Sequence, residues 1–193
     1  MPTKTWQVQA SEDDCRWQTR VGGWSKSDSY AYFGRGGDVR EHGAMRFTGI
    51  DIPKGSVITS AYLELYCDDY MGTSSGIVCR AKLSGEAVDN AQPFSDEADY
   101  RARPRTALAS IWDNVLPWNN RTWNQTSDVS AIIQEIINRP GWISGNSLVM
   151  FLDDDGSDPY AERQYYQYDL NPLNAAKLVV TWEELPSYSL TVN

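Results

Sequence analysis

Residues 44–67 read Ala44-Met-Arg-Phe-Thr-Gly-Ile50, then Asp51-Ile-Pro-Lys-Gly-Ser56, then Val57-Ile-Thr-Ser-Ala-Tyr-Leu-Glu-Leu-Tyr-Cys67. A short alternating strand, a Pro-Lys-Gly turn and a longer alternating strand follow one another. On the second strand Val57, Thr59, Ala61, Leu63, Leu65 and Cys67 share one face and Ser60, Glu64 and Asp68 the other. This is the period of two expected of a sheet with one buried side. Pro53 presets φ and Gly55 tolerates positive φ, so the link reads as a tight turn.

Working outward, short strands are expected at 5–9, 30–33, 44–48, 57–67, 76–84, 147–152, 163–168 and 176–182, each bounded by Gly, Pro, Asn or Asp. The run Ser147-Leu-Val-Met-Phe-Leu152 is apolar on both faces and belongs centrally, whereas Lys177-Leu-Val-Val-Thr-Trp182 alternates and belongs nearer an edge. One helix is predicted over 128–138: Val129, Ile132, Ile133, Ile136 and Ile137 recur at helical spacing, Ser127 or Asp128 supplies the cap, and Pro140-Gly141 ends it. The expected fold is therefore an all-β, two-sheet antiparallel β-sandwich, a jelly roll with one packed amphipathic helix. Between Glu86 and Gln125 no regular period survives, and the stretch reads as a long connection rich in Trp and Pro. Residues 1–184 are expected to form a single domain. Residues 185–193 read as a C-terminal extension whose alternating Tyr188, Leu190 and Val192 offer a strand to a partner, with a homo-oligomer or a neighbouring subunit as the expected recipient.

The chain has 193 residues and a net charge of −9. That charge opposes a polyphosphate, and its basic residues are scattered, so no nucleic-acid partner is expected. The N-terminus has neither a basic nor an apolar segment of the secretory kind, and no apolar run approaches the ~20 residues of a membrane span, so neither export nor membrane insertion is expected. Three cysteines fit a reduced compartment. Cys67 and Cys79 would face each other if a hairpin turned near Gly72; two buried thiols and a disulfide are both open, the thiols being the simpler reading. Arg101, Arg103 and Arg105, close to Asp96, Glu97 and Asp99, read as an ion-paired loop.

Catalytic signatures are absent from the sequence. His42 is the single histidine and reads as a structural or turn residue. No nucleophile elbow, phosphate-cradling loop or C-x-x-C is present, and no pair among the 26 acidic residues stands out, so no enzyme is expected. The loop Asp153-Asp-Asp-Gly-Ser-Asp158 offers oxygens from Asp153, Asp155 and Asp158 that suit calcium, with a solvated acidic turn as the plainer alternative. With 8 Trp and 11 Tyr the chain holds more aromatic residues than its core requires, so some are expected at the surface. Trp112, Trp118 and Trp123, with Asn120 and the neighbouring Asp113, Asn114, Asn119, Arg121 and Asn124, have the composition of a sugar platform, because a flat ring stacks on a pyranose while polar neighbours take its hydroxyls. An aromatic lid over the sandwich edge is the competing reading. Trp17, Trp24, Tyr30 and Tyr32 form a second aromatic group, and Tyr165, Tyr166 and Tyr168 a third.

Four segments in order carry a resemblance: Arg-Phe-Thr-Gly-Ile-Asp-Ile-Pro-Lys-Gly-Ser-Val-Ile-Thr-Ser-Ala-Tyr-Leu (46–63), Arg-Pro-Arg-Thr (103–106), the helical segment 128–142 with Gly-Asn-Ser-Leu-Val-Met (145–150), and Lys-Leu-Val-Val-Thr-Trp (177–182). Over roughly residues 44–182 the chain resembles DNRLRE-type jelly-roll modules related to carbohydrate-binding modules, in the versions found among bacteriophage and bacterial surface proteins. It departs from them in having Glu162-Arg163 where an Arg-Glu pairing is usual, and no attached enzyme is expected. The resemblance implies a non-catalytic binding or structural part. The first expectation is a virion structural protein of a bacteriophage, a capsid decoration or tail-associated subunit assembled in the host cytoplasm among other virion subunits. The second is a carbohydrate-binding module recognising a surface or extracellular polysaccharide, placed extracellularly or at the cell surface.

Overall fold

A computed structural model describes residues 1–67 and 77–184. Its strands are β1 (Thr3–Gln7), β2 (Asp14–Gln18), β3 (Tyr30–Gly36), β4 (Val39–Ile50), β5 (Val57–Cys67), β6 (Cys79–Glu86), β7 (Arg105–Val115), β8 (Thr122–Gln125), β9 (Asn146–Asp154), β10 (Ala161–Tyr166) and β11 (Lys177–Glu183); its helices are α1 (Glu97–Ala102) and α2 (Ser130–Ile137). One sheet runs β1-β11-β5-β8 and the other β10-β3-β4-β9-β6-β7, with β2 also on β4, and every pairing is antiparallel. The protein is an all-β two-sheet sandwich.

The main core lies between the sheets and takes Phe47, Leu63, Leu65, Leu83, Met150 and Val180 together with the four isoleucines of α2. The helix reaches β6 because Gly85 has no side chain: a Cβ there would stand 2.6 Å from Ile136 Cδ1 and 2.9 Å from Ile132 Cγ2. Asp128 accepts from the Ser130 amide at 3.0 Å, although Val129 is the capping residue itself. A second buried cluster joins Cys15, Ala44, Phe94, Tyr100, Val149 and Phe151, with Trp17 and Trp24 packed against it. Alternation along β9 sends Leu148, Met150 and Leu152 to one cluster and Val149 and Phe151 to the other, which is why that strand is apolar on both faces.

Several expectations are corrected. The stretch 86–125 is not one irregular connection, since it contains α1, β7 and β8. Strand β2 and helix α1 also join the expected elements, whereas β11 lies as expected nearer an edge than β9, one strand in beside β1. On β5 the predicted face flips at its start. Thr181 pairs with Ser60 but Trp182 with Ile58, leaving Thr59 as a bulge, so Ile58 is buried and Val57 is 46% exposed. Cys67 and Cys79 do not lie across a hairpin, because β5 and β6 belong to different sheets; Cys15, Cys67 and Cys79 are buried thiols outside any disulfide. The expected partner strand Tyr188, Leu190 and Val192 lies outside the described residues.

Candidate functional site: an aromatic cleft between two strand edges

Strands β7 and β8 are the edges of different sheets, and the residues joining them carry Trp118. Trp112 stands on β7, opposite Ala81 of β6, and its ring stacks on Phe33 with centroids 5.8 Å apart. Trp118 meets the same Phe33 edge-on at 5.5 Å and lies 6.3 Å from Trp112, the two indoles inclined by 34°. Trp123 pairs across β8 with Tyr66 of β5, and the Lys177 ammonium stands 3.5 Å from its ring centroid. These three tryptophans, half-buried, line one cleft of roughly 530 Å³ together with Asn114, Leu116, Pro117, Asn124 and Gln125.

The frame is stiff. Arg163 of β10, 1% exposed, donates from Nε to the Leu116 carbonyl at 3.0 Å and from Nη1 to that of Glu162 at 2.9 Å, and its Nη2 donates to Val115 O. It therefore fixes the end of β7 and the start of the loop that presents Trp118. Thr122 Oγ1 closes the other side of the loop on Asn119 O at 2.6 Å. Asn114 (φ 52°) and Arg121 (φ 55°) hold left-handed backbone at the two ends of the connection, a conformation that costs on the order of 1 kcal/mol or more for residues with a Cβ. No lining residue of the cleft is ionisable, in a chain of which 22% of residues are charged.

The structure thus brings Trp112, Trp118 and Trp123 together, while Asn120 is exposed in the same loop but does not line the cleft. Leu116, Pro117 and Gln125 complete the wall; no pattern in the sequence singled them out, because their roles depend on two sheets meeting. The acidic loop behaves differently. Asp153 Oδ1 accepts from Tyr100 Oη at 3.3 Å and stands 3.1 Å from His42 Nδ1. Asp158 accepts from the Val78 amide at 2.9 Å, and Asp155 is exposed. These side chains serve different neighbours, and among the described residues no group of three or more His, Cys, Asp or Glu side chains is disposed to hold an ion.

The remaining candidates are structural in their contacts. His42 packs at 4.8 Å on Trp17. Arg103 is buried and bonds Asp99, Glu86 and the carbonyls of Gln92 and Pro93, as an ion-paired loop requires. Burial pushes the Cys79 thiol up to about 11 and raises that of Cys15 well above the ordinary thiol range, so both stay protonated near neutral pH. No helix among the described residues is long and apolar enough to cross a membrane. No protein-family model matches the chain, and no curated protein is similar to it at a significant level.

Proposed function

We propose that this protein is a non-catalytic binding module that holds a neutral saccharide in the β7–β8 cleft. The observation that carries the reading is the convergence of three half-buried tryptophans with three side-chain amides in a cleft whose lining residues are all uncharged, the Lys177 ammonium against Trp123 lying outside that lining. Indole faces receive the C–H face of a pyranose, amides exchange hydrogen bonds with its hydroxyls, and a volume of roughly 530 Å³ falls within the usual span for small-ligand sites. An uncharged wall gives no compensation to a carboxylate or ammonium that must leave water, so it favours neutral sugars. Retention on neutral polysaccharide gels, followed by titration with the released oligosaccharides, tests this. Trp118→Ala is expected to weaken binding about tenfold or more, given the energy of a buried aromatic contact. Gln125→Ala, at an exposed position, tests the amide contribution without touching the core. Unchanged retention of both variants, or no retention on any neutral glycan, overturns the assignment.

A second reading places the module on a bacteriophage particle as a decoration or tail-associated subunit. It rests on the resemblance over roughly residues 44–182 and on one feature of the topology. Pro2 O accepts from the Trp182 amide at 3.1 Å, and β1 and β11 are neighbours at the side of the four-stranded sheet remote from β8. The end of β11 therefore lies beside the start of β1, and a body held there would present the cleft on its opposite edge. The two readings are compatible, since a surface subunit of a virion can bind glycans.

A further inference from the structure

The geometry points to a second ligand site, in the cleft between the 18–23 turn and α1, that takes a carboxylate-bearing sugar ring such as a uronic acid residue. This cleft, roughly 380 Å³, is lined by Trp17, Gln18, Thr19, Arg20, Val21, Glu97 and Arg101. It differs from the first in charge: two guanidiniums and one carboxylate face it, in a protein whose net charge is −9. Arg101 stands 5.2 Å from the Trp17 ring and spends one contact, 3.3 Å from Nη1, on Glu97. The Arg20 side chain makes no hydrogen bond or ion pair among the described residues; its charge is felt at a distance by Glu41. One guanidinium is therefore wholly uncommitted and a second mostly so, in a cleft that Trp17 also lines.

The walls are built rather than loose. The turn is closed by Gln18 N to Gly23 O at 3.0 Å, Arg20 N to Gln18 O at 2.8 Å and Gly23 N to Arg20 O at 3.1 Å. It is tied to β4 by Thr19 N to Arg40 O at 3.1 Å and by Arg40 N to Thr19 Oγ1 at 2.9 Å. Trp17 is fixed by its Nε1 donating to Glu97 at 3.1 Å and by the His42 ring behind it. Gly22, at φ +69°, provides the positive dihedral the turn needs, leaving Val21 fully exposed at its tip. A carboxylate entering here is met by planar donors suited to bidentate contact, and the excess of positive over negative groups survives its neutralisation by Glu97. The indole edge and Thr19 then contact the ring that bears it, which selects a sugar acid over a bare anion.

The test is a set of backbone-amide NMR titrations of the full chain with methyl glucuronide, methyl glucoside and an acetylated di-aspartate peptide. Methyl glucuronide is expected to shift amides in 17–23 and 97–101 saturably, with affinity lowered in 0.5 M salt. Arg20→Ala with Arg101→Ala is expected to weaken it by about tenfold or more, the loss of a charge-assisted contact, while Trp118→Ala leaves it unchanged. Both arginines are exposed, so the double variant keeps the fold, and circular dichroism verifies it. Equal shifts with methyl glucoside, survival of binding in the double variant, equal or tighter binding of the peptide, or no saturable shift in these segments overturns the site. The first cleft is read separately through Trp118→Ala on neutral glycans, so failure of one assignment leaves the other standing.

Discussion

Asp14 carries the clearest single-residue consequence. It is 2% exposed and accepts from the Tyr168 amide at 2.8 Å, and burial pushes its carboxyl up to about 8 against the outweighed help of that amide. Between the ordinary carboxylate range and about pH 8 the folded state therefore holds a proton that the unfolded chain has released, so stability falls as pH rises through that window and levels off above it. Buried Glu41, Glu86 and half-buried Glu162 are raised by desolvation and add slope of the same sign. Urea unfolding of the wild type is expected to show lower stability at pH 8 than at pH 5.5, and Asp14→Asn to flatten that difference; an unaltered slope removes Asp14 as a cause. Nothing in Glu12-Asp-Asp-Cys15 marks the middle residues as buried, because the groups that hydrogen-bond Asp14 in the fold, Gln167 and the Tyr168 amide, arrive from over 150 positions away. The three tryptophans of the β7–β8 cleft were legible as a composition, whereas Arg20 and Arg101, 81 positions apart, were not legible as a pair.

Among the elements, α2, β5 and β9 were legible because each carries an internal period that burial enforces. Strand β7 was not, since Leu108 and Ile111 are about half exposed and its residues 107–109 all face solvent, which erases the alternation. An exposed edge of this length invites pairing with another chain, and here α2 blunts it. Glu135 Oε1 accepts from the Ala107 amide and Oε2 from the Leu108 amide, both at 2.8 Å. Glu135→Ala is expected to cost about 1–3 kcal/mol by chemical denaturation and to raise light scattering at high protein concentration. A variant as stable and as monodisperse as the wild type shows that the carboxylate does not protect the edge. The Thr59 bulge is a second feature of this scale: Val57 and Ile58 exchange faces only because the partner strand β11 imposes the register.

At the scale of the molecule, pairing of β1 with β11 and of β11 with β5 closes the described body by Glu183. A chain ending at Glu184 is expected to keep the melting temperature of the full chain. Light scattering after gel filtration is expected to show the full chain as an oligomer and the shortened one as a monomer, as the partner role proposed for 185–193 demands; equal masses remove that role. What the sequence by itself determined is the sandwich and its packed helix, because periods of two and of 3.6 are local and the hydrophobic effect acts on them wherever the chain goes. Only the tertiary structure decided the clefts. One exists because edges of two different sheets leave Trp112, Trp118 and Trp123 around a common space, the other because a turn and a helix far apart in sequence close on Trp17. Proximity between distant segments is a property of packing, and no local pattern of residues encodes it.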